Sequence, residues 1–200
     1  MFVVDRFKCP HKATRETIKI ASRFYDGANH NVLKHIGNSI TYKNRVPILV
    51  FDIDDTLIRE NGDSIDTSIE ILNHFREKHA KVFLVTARHG CMKKETQHEL
   101  LKAGIKPGMY DDISYSPQIY RDSLARISVW KKAKRQSIAN LHGCPLLLTV
   151  GDQWTDLFSI DDDDELNELD EAHGSSYTPW ILTRPKDGIS VLGLKLQAYH

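Results

Sequence analysis

The stretch Val50–Ile58 reads VFDIDDTLI, and it constrains this chain more than any other segment. It opens inside an apolar, β-rich run (Val46 to Ile53) and closes on three carboxylates, Asp52, Asp54 and Asp55. A strand buried on both faces reads as continuous apolar residues, and carboxylates do not belong within it. They fit at its C-terminal end, which is where open α/β sheets bind ligands. Carboxylates crowded there repel one another unless a cation or a proton lies between them. Oxygen donors of this kind suit Mg2+, which keeps some waters and takes one or two carboxylates together with substrate phosphate. Taken alone, D-x-D fits a strand running into an Asp-rich turn just as well, with Asp55 or Thr56 capping a helix. The order of the pieces downstream decides between the two.

Residues 12 to 38 read as helical. Ile18, Ala21, Phe24 and Tyr25 fall at helical spacing, and Gly27 is a stop signal. A second short helix is expected from about Asn29 to His35. Residues 1–45 are therefore expected to form a helical appendage to a core of residues 46–200, the whole making one domain. A chain of 200 residues is long enough for that. After Ile58 comes a polar turn, then a helix from Asp66, read as its N-cap, to about His79. KVFLVT (Lys81 to Thr86) is a second apolar strand, and a helix follows from about Cys91 to Ala103, closed by Gly104. Ile113 to Ser116 is a short third strand. A long helix is expected over Asp122 to His142, then the strand PLLLTV ending at Gly151-Asp152. Gln153 to Phe158 reads as a short helix, Asp161 to Glu165 as a solvated acidic run, and Thr178 to Leu182 as a last strand. The remaining tail has no assignment.

Alternation of strands and helices predicts an α/β fold: a parallel sheet of about five strands with helices on both faces. Three of its strands end on a polar residue, namely Asp52, Thr86 and Asp152. Right-handed crossovers bring those ends to one edge of the sheet. That edge meets the requirements of a phosphomonoester. A cation must offset the repulsion between the dianion and the carboxylates. One carboxylate can attack phosphorus, and a second, two residues on, can protonate the leaving alcohol and later activate water. A hydroxyl and backbone amides can hold phosphoryl oxygens, and a lysine can offset the charge of the transferring group.

Charge and cysteine content narrow the partners. Lys plus Arg and Asp plus Glu both number 27, so the net charge is zero. This speaks against duplex DNA or an anionic membrane as an obligate partner. No apolar run reaches transmembrane length, and Phe2, Val3 and Val4 are too few for a signal-peptide core, so the cytoplasm is the expected location. Cys9, Cys91 and Cys144 are scattered and odd in number, which fits reduced thiols.

The four pieces in order, FDIDDT, LVTAR, a lysine in VWKKAKR, and VGDQWTD, resemble the haloacid dehalogenase (HAD) superfamily of phosphatases. GDQWTDL and the aromatic-Lys-x-x-x-Arg phrase (Trp130, Lys131, Arg135) are similar to the branch holding plant acid phosphatases, vegetative storage proteins and bacterial class B acid phosphatases. The resemblance covers roughly residues 46 to 183. It implies a Rossmann-like sheet and a Mg2+-dependent phosphomonoester hydrolase working through an aspartyl-phosphate. It implies Asp52 as nucleophile and metal ligand. Asp54 would be the general acid/base and would bind the metal through its backbone carbonyl, and Asp152 would be a further ligand. Thr86 would bind phosphate with the Ala87 amide, Thr56 would stabilise the loop holding Asp54, and Asp156 would support the metal indirectly. Lys131, Lys132 and Lys134 stand close together, and the wording favours Lys131 as the catalytic lysine. The acidic insert after Phe158 departs from the branch pattern.

The gaps from Thr56 to Thr86 and from Thr86 to Lys131 hold no large cap domain, so an open site is expected. Small phosphate esters such as nucleotides are then the leading substrates. The alternatives are a polynucleotide end, guided by the basic helix around Lys131 to Arg135, and a catalytically silent phosphate- or metal-binding relative. Arg88 is left between a phosphate contact and a turn residue. Trp130, Trp154 and Trp180 are simplest as packing. A homo-oligomer is compatible with all of this.

Overall fold

The computed structural model describes residues 3–6, 10–25, 46–117, 123–143, 146–158, 180–183 and 189–196. Seven strands form one sheet: β1 (Val3–Arg6), β2 (Ile48–Phe51), β3 (Lys81–His89), β4 (Asp112–Ser116), β5 (Leu146–Gly151), β6 (Trp180–Thr183) and β7 (Ser190–Lys195). The helices are α1 (Pro10–Tyr25), α2 (Asp66–Glu77), α3 (Lys93–Lys102), α4 (Leu124–His142) and the single turn α5 (Trp154–Leu157). Strand order is β1-β6-β7-β5-β2-β3-β4. The five strands from β7 to β4 run parallel, and β6 and β1 extend that sheet as antiparallel additions. The architecture is the expected α/β one, with a five-stranded parallel layer.

The central strands are largely apolar yet still alternate by face. Leu49 and Phe51 of β2, with Val82 and Leu84 of β3, pack with Ala13 and Ala21 of α1, Ile71, Leu72 and Phe75 of α2, and Leu100 of α3. Ile48, Val50 and Val85 pack on the other side with Trp130, Ile138 and Ala139 of α4. The period of two therefore survives under uniform hydrophobicity, because each face has its own helical cover.

Five local readings need correction. The first 45 residues contribute the expected helix α1 but also strand β1 at the sheet margin. The unassigned tail holds β7, which lies inside the sheet beside β5. Asp66 is not the N-cap of α2. Ile65 occupies that position in extended conformation without a side-chain cap, and Asp66 is the first helical residue, where its charge still faces the N-terminal dipole. Strand β3 does not stop at Thr86 but runs to His89, because pairing with β4 resumes at His89 and Ser116 after a register shift. The helix expected from Cys91 starts as a 3-10 turn, Gly90–Met92, before α3. Gly27 lies outside the described residues, and the other two glycine stop signals act as expected. Gly104 and Gly143 adopt φ of 84° and 61° past the ends of α3 and α4, and the Ser123 hydroxyl caps α4 by accepting from the Arg126 N–H at 3.3 Å.

Among the described residues, the segment between β2 and β3 holds a turn and α2, and that between β3 and α4 holds the 3-10 turn, α3 and β4. Neither is a cap domain. The helix expected at residues 29–35 and the acidic run at 161–165 lie outside the described residues. No helix among the described residues is long and apolar enough to cross a membrane.

Candidate active site

Strand β2 pairs with β3 on one side and β5 on the other. The chain winds from β2 to β3 and β4, then returns to the opposite side of β2 for β5 and β7. Such a reversal opens a crevice at the carboxyl edge of an open sheet. Asp52 follows β2 directly there, its backbone N–H donating to the Val150 carbonyl of β5 at 3.0 Å. Asp152 follows β5, and Thr86 lies near the end of β3. All three are buried.

The loop after β2 bends sharply. Asp55 takes a left-handed conformation, φ 50°, and the Leu57 and Ile58 N–H groups both donate to the Ile53 carbonyl, at 2.8 and 3.0 Å. An aspartate tolerates that backbone better than most residues, since its short polar side chain can bond locally. The bend turns Thr56 inward, fully buried, and its hydroxyl donates to Asp152 Oδ1 at 3.3 Å. Thr56 thereby links the β2 loop to the β5 loop.

The β5 loop is tied by a reciprocal cap. The Gln153 N–H donates to Asp156 Oδ2 at 3.0 Å, and the Gln153 side chain accepts from the Asp156 backbone N–H. The Gln153 amide also donates to Asp152 Oδ2 at 2.7 Å. Gly151 is required just upstream, because a side chain there would collide with Asp156.

Helix α4 completes the group. Lys131 is 4% exposed, and its ammonium donates to Asp52 Oδ1 at 2.9 Å and to Asp156 Oδ1 in a very short contact. One turn on, Arg135 is also buried and donates from Nη1 to the carbonyls of Asp156, at 2.5 Å, and Thr155, at 3.3 Å. Lys132 is half-buried and Lys134 exposed, so of the three lysines it is Lys131 that the fold brings to Asp52.

Carboxylate oxygens of Asp52, Asp152 and Asp156 lie within 4.8 Å of one another. Burial raises the Asp52 carboxyl well above its ordinary value. Lys131 opposes this, while Asp156, Asp152 and Asp54 reinforce it. Asp152 is pushed up to about 7 by burial first and by Asp156 second, against the Gln153 hydrogen bond and Lys131. Burial works against the charge on Lys131, but Asp156 and Asp52 outweigh it and the net shift is upward. Three crowded carboxylates facing one ammonium carry excess negative charge, and all the donors are oxygens. That set fits a hard divalent cation. A buried void of about 10 Å³, room for a single water centre, borders Asp52, Lys131, Arg135 and Asp156.

Asp54 is not in this cluster by its side chain. Its carboxylate is 51% exposed and is paired with Arg88. The Thr86 hydroxyl accepts the Arg88 N–H at 3.2 Å, and Ala87 lies between them in β3. Sequence reasoning left Arg88 between a phosphate contact and a turn residue, and gave Gln153 and Gly151 no role of their own. The signal for Arg88 was its place two residues past Thr86 at the same sheet edge. Gly151 stands inside the GDQWTDL phrase, but nothing in that phrase marked its close approach to Asp156.

The structure resembles solved acid phosphatases. The class C acid phosphatase from Bacillus anthracis aligns over 95% of this chain and 78% of its own, with TM-score 0.54 and 12% identity. The crystal structure of the class C acid phosphatase from Bacillus anthracis with tungstate bound aligns over 97% and 87%, with TM-score 0.52 and 13% identity. At such identity the likeness defines a shared fold. Comparison with curated proteins gave no match. Residues 59–174, more than half of the chain, match the model of the HAD superfamily, subfamily IIIB (Acid phosphatase). The chain belongs to that family and is a phosphatase. The match begins just past the Asp52 loop, so the carboxylates of that loop join the site through the fold itself.

Proposed function

We propose that the protein is a Mg2+-dependent phosphomonoesterase that forms an aspartyl-phosphate on Asp52 and acts on small phosphate esters, nucleotides among them. One observation carries the reading: Asp52 ends the central parallel strand, buried against Lys131 and within a ring completed by Asp152 and Asp156.

Asp52, the Asp54 carbonyl and Asp152 would hold the cation, which when bound supplies charge compensation between the carboxylates and the phosphoryl oxygens. Both oxygens of Asp156 are already engaged, one by Lys131 and one by the Gln153 N–H. Asp156 therefore serves as an orienting carboxylate, and it holds Lys131 against Asp52.

In the first half-reaction an Asp52 oxygen attacks phosphorus, and the bond to the ester oxygen breaks. Lys131 offsets charge on the transferring group. Thr86 and the Ala87 N–H receive phosphoryl oxygens, and Asp54 supplies the proton of the leaving alcohol. In the second half, water attacks phosphorus, Asp54 takes its proton, and Asp52 is released. Asp54, half-exposed on the open side, suits a group that meets leaving alcohols of varied shape. The absence of a cap from the described segments supports small or accessible esters.

The test is hydrolysis of an aryl phosphate with Mg2+ and with chelator, beside Asp52→Asn. Metal-dependent turnover lost in the variant is the expected result. Turnover by Asp52→Asn at the wild-type rate would refute the assignment.

A further inference from the structure

Arg88 lies in β3 where the register with β4 shifts, two residues beyond Thr86. Its side chain is only 12% exposed and spans two elements. On one side, Nη1 donates to Glu99 Oε2 at 2.5 Å and to Thr96 Oγ1 at 3.2 Å, both on α3. On the other, Nε lies 3.0 and 3.1 Å from the two Asp54 oxygens, and Nη2 donates to Oδ1 at 2.6 Å. Burial works against the charge on Arg88, but its pairing with Asp54 and Glu99 outweighs that and strengthens the charge. An aspartate on an open loop would otherwise sample several rotamers. Three contacts from a guanidinium that is itself anchored at the rear remove that freedom.

We propose that Arg88, backed by Glu99, is the positioning residue that fixes the Asp54 carboxylate for the water-activating half of the reaction. The proposal rests on the phosphatase reading above, with Asp54 as acid/base. The two halves ask different things of Asp54: in the first it gives a proton, in the second it accepts one. A guanidinium only donates hydrogen bonds. The observed pair therefore presents Asp54 as an acceptor, oriented and held, which is what the second half needs. In that step the water oxygen bonds to phosphorus and the phosphorus–oxygen bond to Asp52 breaks. The electron pair returns to the Asp52 carboxylate, and a water proton passes to Asp54. Arg88 forms and breaks no covalent bond. Glu99 acts only through Arg88.

The experiment compares wild type, Arg88→Ala, Arg88→Lys and Glu99→Gln on 4-nitrophenyl phosphate, whose leaving group departs with little need of a proton. Steady-state kinetics are read together with the phosphorylated fraction of the enzyme, by acid quench and intact mass. For Arg88→Ala, kcat should fall about 10- to 100-fold, while kcat/KM, which reports only the first half, stays within about threefold. The steady-state enzyme should then be mostly phosphorylated. Arg88→Lys should recover part of kcat, and Glu99→Gln should show the same pattern at smaller amplitude. A raised KM with kcat/KM lost in proportion, and no gain in phosphoenzyme, would mean that Arg88 grips the substrate phosphate instead. That result overturns this proposal and leaves the phosphatase reading standing. Turnover by Asp52→Asn at the wild-type rate, in the same assay, would overturn both.

Discussion

Gly151→Ala is the sharpest probe of the site, because its effect follows from one distance. A Cβ on Gly151 would stand 2.5 Å from Asp156 Cγ and closer still to its Cβ and Oδ2. Asp156 cannot simply rotate away. Its Oδ2 holds the Gln153 N–H, its Oδ1 holds Lys131, and its carbonyl is held by Arg135. Something must yield by an ångström or more. Overpacking of this kind costs about 1–3 kcal/mol, and loss of a charged hydrogen bond about 1.5–3 more, so roughly 2.5–6 kcal/mol is expected. At about 2–4 °C per kcal/mol for a chain of this size, the melting temperature should fall by roughly 5–24 °C. Displacing Asp156 also displaces Lys131 from Asp52, and a misplacement of about 1 Å can cost on the order of 100-fold in rate. Thermal melts and aryl phosphate turnover test both. The control is Gly104→Ala, where φ is 84° but nothing lies within 4 Å of the new carbon. It should lose about 1 kcal/mol through backbone strain and keep its kcat. Melting within about 2 °C of wild type and turnover within about threefold for Gly151→Ala would refute the account of how Asp156 is held.

Three further outcomes are expected. Asp152 has a folded pKa of about 7 against an ordinary 3.8, so between those values only the folded state keeps its proton. The metal-free protein should therefore lose stability from this group as pH rises from about 4 to about 7, and Asp152→Asn should flatten that slope in chelator. Cation affinity should tighten over the same rise, since ligands bind deprotonated, and saturating Mg2+ at about 100 times its Kd should add about 2.7 kcal/mol, read as a rise in melting temperature. Thr56→Val keeps the shape but removes the donor to Asp152, and should cost about 1–2 kcal/mol in chelator melts; no change would show that this bond is not formed.

The sequence exposes the centre of the molecule better than its margins, for a physical reason. Strands β2, β3 and β5 are buried on both faces, so each reads as an apolar run, and each meets the site through a polar residue at or near its end. Asp52, Thr86 and Asp152 are legible on that account. Lys131 stands out among three neighbouring lysines only once α4 is docked, because burial is a property of the packed helix and not of the phrase VWKKAKR. Strand β7 contains a glycine and follows a segment without periodicity, so its six residues carry too little pattern to be separated from a tail. Strand β1 is four residues long and draws its identity from a partner about 180 positions away. The Arg88–Asp54 pair is illegible for a related reason. Both residues are polar and near turns, and a surface turn and an anchored clamp use the same letters until α3 supplies Glu99 behind the guanidinium.

The strand order also sets a sequence of events. Strand β7 is the last of the seven described strands in chain order, yet it lies inside the sheet between β5 and β6. During synthesis β2, β3, β4 and β5 can assemble as soon as β5 exists, and the carboxyl ring of Asp52, Asp152 and Asp156 can form with them. Strand β6 cannot join until β7 has docked on β5, and β1, the earliest of the described strands, must wait for β6. Until then β5 presents an unpaired, largely apolar edge, the kind that recruits strands from other chains. A nascent or truncated form ending before Ser190 would thus carry a nearly complete carboxyl ring beside an adhesive border, and its fate would turn on whether β7 arrives before a neighbouring molecule does.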